Sequence, residues 1–580
     1  MDENELPLGR GRTRAYRFFE MLPAVLSFGV PVAIVIVSLI QPSAGAVLVL
    51  VFVGATLLRT FRGAIDGTRG YRALRAAEST DWMAMNAEIE RVLRDGRAAL
   101  PFDGRSRVAP GGAIGRDHAR LAIAAARRPY AYPLPSEVVH AVLVTAYNEP
   151  YEVVRTSIQA LTEATVGAEQ LVVLLAYEAR GGEAMRATAR RLEQEYGYRF
   201  RAFEAVEHPA DLPDEIPGKG ANLTFAGRRL ERWVAEHGID PERVVVTSLD
   251  CDNRPHPDYF AAVTYQFVRA TDRARASFQP ISLFTNNIWH APAPMRVIAA
   301  GNSIWNLIST VRPFSVRNFA SHAQPLPALI DMGFWSRRTI VEDGHQFWRS
   351  YFHFRGQYRA IAVRIPIYQD AVLTEEFLRT LKAQFSQLAR WAYGASDVPY
   401  VGVRVFSRRR RVPFWTSFLR FLILVEGHVS LAVVAPLILV GAWIPLLIGQ
   451  AVTAFQVSLY TATQSWLEVS IVKRAFREDD LVADLPAIVD TIQRIAMPGL
   501  VTIIVLSILL LPTRPREFGR SRSVAMLAQW IMLPITAVAY TAGSSLYSQG
   551  RLFLGRYRER FDVTEKAAAG VLRDSLSLRR

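Results

Sequence analysis

The sequence predicts an α/β domain with a mostly parallel sheet, combined with an α-helical transmembrane bundle. Apolar, β-branched strands alternate with helical patterns from residue 138 to residue 249, which is typical of a doubly wound sheet. Uncharged runs long enough to cross a bilayer lie near both ends of the chain. With 580 residues, 50% of them hydrophobic, the chain exceeds one ordinary soluble domain.

Charge and cysteine content narrow the functional classes. The formal net charge of +15 favours an anionic partner, which we interpret as membrane lipids at the cytoplasmic face together with a phosphorylated substrate. Nucleic acid is the alternative, but the chain carries no nucleic-acid motif, so we expect no nucleic-acid partner. The single cysteine, Cys251, excludes an internal disulfide and a zinc cluster built from cysteine.

Residues 1–62 predict an N-terminal transmembrane hairpin. Residues 21–40 form an uncharged run of spanning length, Pro42 breaks the helix, and residues 43–58 form a second apolar run. Arginines flank both outer ends of the hairpin, so the positive-inside rule places both ends in the cytoplasm of a multi-pass protein of the plasma membrane. The alternative is a buried helical hairpin of a soluble protein.

Residues 63–135 are polar and arginine-rich and predict a cytoplasmic linker. Residues 71–100 show helical spacing of apolar side chains, which predicts a helix on the membrane surface or on the next domain. Residues 103–116 are rich in glycine, arginine and proline and predict a loop. This segment contains no candidate chemistry.

Residues 136–400 carry the alternation of strands and helices. Predicted strands cover residues 138–145, 171–177, 200–206 and 244–249, and predicted helices cover residues 150–161, 182–196 and 220–237. In an open α/β sheet, ligands bind at the carboxyl ends of the strands. The polar residues that follow these strands are therefore the candidates for chemistry.

The strand at residues 244–249 ends in two carboxylates separated by one residue, Asp250 and Asp252. Oxygen ligands of this kind hold hard cations such as Mg²⁺ or Mn²⁺ and leave coordination positions for substrate phosphates. Such an ion neutralises the charge of a departing nucleotide diphosphate. The alternative is a plain turn, because Asp-x-Asp-Asn-Arg-Pro also has good turn chemistry.

Two further motifs suit a nucleotide ligand. The first strand ends in Tyr147-Asn148-Glu149, and a polar group at the first strand-to-helix turn faces a nucleotide in such sheets. The alternative for Glu149 is an acid that complements a helix dipole. Lys219 lies between two glycines at a helix N-terminus, where it would clamp a diphosphate. The alternative for Lys219 is a surface lysine in a flexible loop.

Two acids and one amphipathic helix complete the candidates. Glu342 and Asp343 lie in an aromatic neighbourhood and are candidates for a general base with a perturbed pKa, or else they begin a solvated helix. Residues 376–394 predict a helix on which Gln387, Arg390 and Trp391 can meet. An indole stacks on a sugar ring, and the two polar groups bind hydroxyl or phosphate oxygens. The alternative is a helix that lies on the membrane.

The order of these motifs resembles that of membrane-embedded family 2 glycosyltransferases of the cellulose-synthase-like and hyaluronan-synthase-like kind. The D-x-D, [T/E]-D and Q-x-x-R-W motifs of that family are matched by residues 250–252, 342–343 and 387–391. Residues 147–149 look like the family's first-strand motif, and residues 219–222 look like its Lys-x-x-Asn stretch. The resemblance covers residues 138–400 and the flanking membrane segments. It implies a GT-A fold, which is Rossmann-like, for the cytoplasmic domain.

The resemblance implies a role for each candidate residue. Asp250 and Asp252 would bind the nucleotide diphosphate through Mg²⁺ or Mn²⁺. Asp343, with Glu342 beside it, would be the general base that activates the acceptor hydroxyl. The residues implied to contact the donor are Tyr147, Glu149, Glu178, Lys219, Asn222 and Asp250. Those implied to contact the acceptor and the diphosphate are Gln387, Arg390 and Trp391.

The function implied by the resemblance is inverting transfer of a sugar from a nucleotide diphosphate to a growing polysaccharide, which the membrane bundle would translocate. UDP is the expected nucleotide. One alternative is a single transfer to a membrane lipid carrier. The other is a non-catalytic membrane binding or transport protein. Such a protein would not need Asp343 together with the strand that ends in Asp250 and Asp252, which we call the acid-tipped strand.

Some positions depart from the family pattern. Glu178 stands at the end of the second strand, where many members have an Asp for the base or ribose, and this leaves the donor open. Val341 replaces the usual small polar residue before Glu342. We find no Phe-x-Val-Thr-x-Lys gating motif and no appended cyclic-di-GMP domain, which weakens a specific cellulose-synthase assignment.

Residues 401–550 predict an interfacial helix and a C-terminal transmembrane bundle, followed by a cytoplasmic tail at residues 551–580. The interfacial helix is predicted at residues 414–425, and spans are predicted at residues 429–448, 452–472, 498–511 and 524–546, giving five or six spans in the chain. With six spans, the basic loop from Arg514 to Arg522 would face outside, against the positive-inside rule. Glu426 and His428 are candidates for contact with a translocating sugar or a lipid phosphate, or else they lie at the interface.

Overall fold

The computed structural model describes residues 5–7, 11–99, 111–463 and 480–558. It contains a sheet domain covered by helices on both faces and a set of long apolar helices. The predicted combination of an α/β domain with a helical bundle is therefore confirmed.

The sheet has eight strands in the order β3-β2-β1-β4-β7-β6-β8-β5. The strands are β1 (Val139–Ala146), β2 (Leu171–Glu178), β3 (Ala202–His208), β4 (Val244–Asp250), β5 (Arg254–Pro255), β6 (Ala276–Leu283), β7 (His322–Pro325) and β8 (Arg359–Tyr368). Strands β3, β2, β1 and β4 run parallel, as predicted, and β6 pairs parallel with β8. Antiparallel pairs join β7 to β4 and β6, and join β5 to β8.

The helices connect these strands and form the bundle. They are α1 (Arg14–Ile40), α2 (Pro42–Glu78), α3 (Trp82–Asp95), α4 (Gly112–Arg127), α5 (Tyr151–Leu161), α6 (Gly182–Tyr196), α7 (Lys219–Glu236), α8 (Tyr259–Arg269), α9 (Ala293–Ser309), α10 (Leu326–Asp331), α11 (Glu342–His353), α12 (Phe377–Ala392), α13 (Asp397–Val405), α14 (Phe414–Val440), α15 (Trp443–Thr463), α16 (Asp480–Leu509) and α17 (Arg520–Phe553). Helix α17 contains a 3₁₀ turn at Gln529–Met532 and a π-helical segment at Ala537–Ala542.

The strands at the centre of the domain are apolar because both of their faces are covered. Every residue of β1 and β2 is buried. Val142 and Val144 of β1 point into the core formed with α3, α5 and α8, whereas Ala141 and Leu143 point into the core formed with α7 and α10. The parallel pairing brings the carboxyl ends of β1, β2 and β4 to one edge of the sheet.

The predicted strands and helices of residues 138–250 are confirmed to within two residues at each end. Two predictions between residues 71 and 116 are wrong. The single helix predicted at residues 71–100 is broken after Glu78, because Asp81 caps a new helix by accepting a hydrogen bond from the Ala84 amide at 2.9 Å. Part of the predicted loop at residues 103–116 lies outside the described residues, and the rest begins α4, whose apolar side chains bury against the sheet domain.

Five helices of the described residues are long and apolar enough to cross a membrane, namely α1, α2, α14, α16 and α17. The interfacial helix predicted at residues 414–425 is not separate from the span that follows. Helix α14 runs unbroken from Phe414 to Val440, because the buried side chains of Phe421, Leu424 and Val425 continue the apolar face. Much of the predicted span at residues 452–472 lies outside the described residues.

The ends of these helices show which side of the bundle the sheet domain occupies. Helix α14 begins at the domain, where Ser417 and Tyr351 share a hydrogen bond of 2.8 Å. The loop after α16 returns to the domain, where Trp289 donates to the Pro512 carbonyl at 3.2 Å. The basic loop from Arg514 to Arg522 therefore lies on the side of the sheet domain, not on the far side that six spans would require.

Helix α17 packs along α12 of the sheet domain. The Phe385 ring lies 6.5 Å from that of Tyr540 and 6.0 Å from that of Tyr547, measured between centroids. One turn further on, Ser548 donates to the Ala389 carbonyl at 2.5 Å. The predicted span at residues 524–546 is thus in contact with the helix that carries the Gln387–Trp391 motif.

Candidate active site

Lys219 is the centre of a cluster of acids at the carboxyl end of β4. Its Nζ lies 2.8 Å from Asp250 Oδ1, 2.9 Å from Asp343 Oδ2 and 3.6 Å from Glu342 Oε1. The end of β4 carries Asp250, the first turn of α7 carries Lys219, and the first turn of α11 carries the other two acids. We call these four residues the lysine–carboxylate cluster. The structure thus brings together predicted site residues that are up to 124 positions apart.

The charges of the cluster shift the pKa of its members. Burial lowers the pKa of Lys219, which is 8% exposed, but the three carboxylates outweigh this and raise the pKa above its ordinary value. Burial raises the pKa of Asp343 well above its ordinary value; Lys219 opposes this shift, while Glu342 and Asp250 add to it. Burial also raises the pKa of Glu342. An acid with a raised pKa is a better proton acceptor, which suits a general base.

Two groups beside the cluster, His322 and the Ala320 carbonyl, were not predicted. His322 of β7 is fully buried, and its Nδ1 lies 3.8 Å from Asp343 Oδ1. Burial and the charge of Lys219 lower the pKa of His322 to about 3, so its ring is neutral at physiological pH. The Ala320 carbonyl accepts a hydrogen bond from Lys219 at 3.1 Å, and Ala320 has a φ of 30°. A non-glycine residue in this region is strained, which is common where structure holds a functional group in place.

The Asp250–Asp252 segment is a tight turn as well as part of the candidate site. The Asn253 amide donates to the Asp250 carbonyl at 2.9 Å, and Ser157 of α5 donates to the Cys251 carbonyl at 2.6 Å. The Asp252 side chain is buried, with 4% of the residue exposed, whereas 34% of the Asp250 side chain is exposed. The turn interpretation and the site interpretation of this motif are therefore compatible.

The residues predicted for the donor lie on the same edge of the sheet. The register pairs Thr145 of β1 with Asp250 of β4, so Tyr147 and Glu149 follow directly beside the acid-tipped strand. Glu149 Oε2 accepts a hydrogen bond from the Tyr147 amide at 2.7 Å. Glu178, at the end of β2, forms an ion pair with Arg180.

Arg180 belongs to this group although it was not predicted. Its guanidinium lies 4.7 Å from the centre of the Tyr147 ring while it holds Glu178. Asn222 lies deeper, where its amide donates to the Ala176 carbonyl at 2.9 Å and joins α7 to β2. A direct contact of Asn222 with a donor stays a prediction.

Of the three predicted residues of α12, Arg390 acts on the lysine–carboxylate cluster. The charge of Arg390 acts on Glu342 and lowers its pKa, against the effect of burial. Gln387 is buried and accepts a hydrogen bond from Gln384 at 3.1 Å. Trp391 is 39% exposed, and its ring centroid lies 5.8 Å from that of Phe284. The indole of Trp391 is thus accessible beside Phe284.

The chemistry of the donor set fits a divalent cation that a ligand helps to hold. Three carboxyl groups face one ammonium in the cluster, and carboxylate oxygens are the ligands that Mg²⁺ and Mn²⁺ prefer. No group of three or more His, Cys, Asp or Glu side chains arranged to hold a metal occurs in the described part of the chain. Asp250 and Asp252 would therefore need oxygens from a bound phosphate to complete the coordination of an ion.

Comparisons with known proteins give loose likenesses to solved structures. No protein-family model matches the chain, and no curated protein matches it. The mannosyltransferase PcManGT from Pyrobaculum calidifontis, in complex with GDP-Man and Mn²⁺, is 16% identical with a TM-score of 0.35, and the match covers 64% of this chain and 88% of that one.

Two further structures have similarly low sequence identities and TM-scores. TarS 1-349 of S. aureus, in complex with UDP-GlcNAc, is 8% identical with a TM-score of 0.31 over 72% of this chain and 93% of that one. GalNAc-T7, with UDP, GalNAc and Mn²⁺, is 8% identical with a TM-score of 0.29 over 50% of this chain and 58% of that one. We therefore base the functional argument on the geometry of the site.

Proposed function

We propose that the protein is an inverting membrane glycosyltransferase of family 2 with a GT-A-type domain. It transfers a sugar from a nucleotide diphosphate, with a UDP-sugar as the expected donor, to a growing polysaccharide. The observation that carries this proposal is the lysine–carboxylate cluster at the carboxyl end of β4. There Asp343, whose pKa is raised, contacts Lys219, which also contacts Asp250 of the acid-tipped strand.

In the proposed reaction, Asp343 takes the proton of the acceptor hydroxyl. The acceptor oxygen attacks the anomeric carbon from the face opposite the diphosphate, so the bond to the diphosphate breaks and the configuration inverts. Lys219, which contacts Asp343, would share its positive charge between the base and the leaving phosphates. Asp250 and Asp252 would hold Mg²⁺ or Mn²⁺, which supplies further neutralisation of the leaving diphosphate when bound.

The donor and the acceptor would approach the cluster from different sides. Tyr147, Glu149 and Glu178 follow the strands on one side of Asp250, where a base and ribose would lie. On the other side, α12 offers the exposed ring face of Trp391 for the terminal sugar of an acceptor, with Gln387 and Arg390 for its hydroxyls or for the diphosphate.

We propose that the sheet domain faces the cytoplasm of a multi-pass plasma-membrane protein. The arginine-rich loop after α16 packs on the sheet domain, and positively charged loops favour the cytoplasmic side. The contact between α17 and α12 supports this arrangement, because it joins the bundle to the helix that we propose binds the acceptor. A polysaccharide made at Trp391 would therefore begin next to the apolar helices that could translocate it.

A second candidate function is transfer of one sugar to a membrane lipid carrier. It is favoured by the same contact of α12 with the bundle, because a lipid acceptor would reach Trp391 from the membrane. A non-catalytic binding or transport protein is the third candidate, and the partly buried Asp343, whose pKa is raised, argues against it. Nucleic acid remains outside the proposed partners.

The proposal is tested by incubating the purified full-length protein in lipid nanodiscs with a panel of nucleotide sugars. We expect one donor to release its nucleotide in the presence of Mg²⁺ or Mn²⁺, and we expect Asp343→Asn to suppress this release. Asp331→Asn, which removes an exposed acid of α10, serves as the matched control. No nucleotide release from any donor with either metal would reject catalysis in favour of the binding or transport function.

A further inference from the structure

Helix α17 has the length and composition of a membrane span, but its start lies on the sheet domain. Its 34 residues correspond to about 50 Å along the helix axis. Arg522 donates to the Trp289 carbonyl at 2.6 Å, and Gln529 accepts a hydrogen bond from Arg296 of α9. Between them, Met526 is buried together with apolar side chains of α9 and α12. The first three turns of α17 therefore lie against the domain.

The middle and the end of α17 lie on the same domain. The ring of Tyr540 packs on that of Phe385 of α12, and Ser548 donates to a carbonyl of α12 at 2.5 Å. Leu552, in the last turn, is buried against Ile340, which comes shortly before α11. A helix that crosses a bilayer has its ends on opposite sides of a hydrocarbon layer about 30 Å thick. Contact with one domain along the whole length of α17 does not fit a crossing.

The contact between α17 and α1 shows on which side of the bundle α17 ends. Arg17, in the first turn of α1, donates to the Leu552 carbonyl at 3.0 Å and to the Phe553 carbonyl at 2.9 Å. From Arg17, α1 runs away from the domain and turns into α2 at Pro42. A helix that started at the domain and crossed beside α1 would end near Pro42. Helix α17 ends near Arg17 instead.

Helix α17 directs an apolar face away from the protein. The exposed side chains of this face, spaced three or four residues apart, are those of Val524, Leu527, Ile531 and Ile535. The side chains that α17 buries against the protein include the polar Gln529, Thr536 and Ser548. A contiguous exposed apolar face marks a surface that another apolar phase covers. Helices with such a face lie in the membrane interface, with their apolar side chains at the boundary between headgroups and acyl chains.

Charge and position favour lipid as the partner of this face. Arg514, Arg516 and Arg520 are exposed in the segment that leads into α17, and clusters of arginine at a membrane surface attract anionic headgroups. This segment follows directly on α16, whose apolar helix ends at Leu509. The lipid around α16 would therefore continue to the exposed face of α17.

We propose that α17 does not cross the membrane but lies along the lipid surface on the side of the sheet domain, with its exposed apolar face among the lipids. Of the five helices with the composition of a span, α1, α2, α14 and α16 then cross, and Arg14 and Phe553 lie on the same side. Gln549 of α17 donates to the His428 carbonyl of α14 at 2.9 Å, so α17 links α12 to the helices that cross. The inference does not depend on the proposed transfer reaction, since it uses no residue of the lysine–carboxylate cluster.

The first test labels the full-length protein with a membrane-impermeant maleimide in sealed membrane vesicles of both orientations. Ser521→Cys and Leu554→Cys mark the two ends of α17 at exposed positions, and Gln41→Cys marks the turn between α1 and α2. The native Cys251 is buried and provides the background. We expect Ser521→Cys and Leu554→Cys to be labelled at least tenfold more in the same vesicle orientation, and Gln41→Cys in the other one. Labelling of Ser521→Cys and Leu554→Cys in opposite orientations would show that α17 crosses, and labelling of all three positions in one orientation would show that α1 does not cross; either result rejects the proposal.

The second test measures depth with a fluorophore attached to Ile531→Cys and, as the matched control, to Val32→Cys at an exposed position of α1. Lipids brominated close to the headgroup should quench the label at Ile531→Cys several-fold more than lipids brominated at the chain ends, and the order should reverse at Val32→Cys. Stronger quenching of Ile531→Cys by the chain-end bromines would place α17 at the bilayer centre and overturn the proposal. Quenching by neither lipid would show that the face does not contact lipid. If Ile531→Cys does not fold, Ile535→Cys on the same face gives the same readout.

Discussion

Lys219 Nζ contacts both carboxylate oxygens of Asp343, at 2.9 Å and 3.1 Å. A single ammonium group therefore contacts both oxygens of the candidate base. The same group lies 2.8 Å from Asp250 Oδ1. This contact opposes the effect of burial, which raises the pKa of Asp343. It also means that negative charge arriving at Lys219 would loosen its hold on Asp343, which would link donor binding to exposure of the base.

The first prediction concerns Asp343. Asp343→Asn keeps the shape of the side chain but removes the proton acceptor, so turnover should fall by about 10²- to 10⁴-fold. Donor affinity should stay near that of the wild type, because the proposed base does not bind the donor. Calorimetry with the donor nucleotide, combined with turnover measurements, separates the two effects. Loss of donor binding would instead make Asp343 a donor ligand.

The second prediction concerns metal dependence. Asp252→Ala removes one of two proposed oxygen ligands, so transfer should be lost at any concentration of Mg²⁺ or Mn²⁺ that supports the wild type. Asp272→Ala, which removes an acid from the far side of the domain, is the control. Activity of the wild type should also vanish when a chelator is in excess and return with added metal. Full activity in excess chelator would contradict a metal-dependent mechanism.

The third prediction concerns pH. The raised pKa of Asp343 means that the base becomes protonated, and activity falls, at a higher pH than for an ordinary aspartate. The charge of Glu342 contributes to this shift. Glu342→Gln removes that charge, so the pKa of Asp343 should fall and the acidic limb of the kcat/KM profile should move to lower pH. A limb that stays in place or moves upward would show that Glu342 does not act on the base.

The site shows which features a sequence can predict. Asp250 and Asp252 were predicted from the end of a strand that hydrophobic periodicity defines, and Asp343 from its aromatic neighbourhood and the family resemblance. The convergence of Asp250 and Asp343 on Lys219 depends on the pairing of β4 and β7 and on the position of α11, which no local pattern encodes. The sequence therefore suggested a diphosphate clamp or, alternatively, a surface lysine in a flexible loop, whereas Lys219 is buried among three acids.

Other features lacked a local signal altogether. His322 sits on a four-residue strand and reaches Asp343 only through the sheet, and Arg180 follows β2 in a stretch that carries no motif. The continuity of α14 was missed because apolar composition alone does not distinguish an interfacial helix from the first turns of a longer one. The side on which the basic loop lies depends on how many helices cross, and that number depends on packing.

The fourth prediction concerns the close approach of α7 to the loop before α11. A methyl group on Gly220 would lie 2.2 Å from the Ser336 carbonyl oxygen and 3.1 Å from Glu342 Cβ. Gly220→Ala should therefore destabilise the protein by about 1–3 kcal/mol and disturb the neighbouring Lys219, despite the higher helix propensity of alanine. A thermal unfolding curve and turnover measure the two effects.

Gly301 of α9 provides the matched control for this substitution. It is also helical, but an added methyl group there meets nothing within 4 Å. Gly301→Ala should stabilise the protein by about 0.5–1 kcal/mol. Equal effects of the two substitutions on stability would mean that the contact with Ser336 imposes no constraint on the cluster.

The fifth prediction concerns the acceptor. The exposed indole of Trp391 offers a ring face to a terminal sugar. We expect this stacking to contribute about 1 kcal/mol to the binding free energy beyond the burial of apolar surface, or roughly fivefold in affinity. Trp391→Ala should raise the KM for the acceptor by at least that factor and leave donor affinity unchanged. Trp415→Ala, at an exposed tryptophan of α14, should change neither parameter.

The identity of the acceptor is decided by the size of the product made from labelled donor. We expect a long carbohydrate that organic solvent does not extract, because α12 packs against α17 and a chain leaving Trp391 would meet the bundle at once. Trp391→Ala should then shorten the chains, since weaker binding of the terminal sugar releases the acceptor sooner. A single sugar on a lipid that organic solvent extracts would reject the polysaccharide and establish transfer to a lipid carrier.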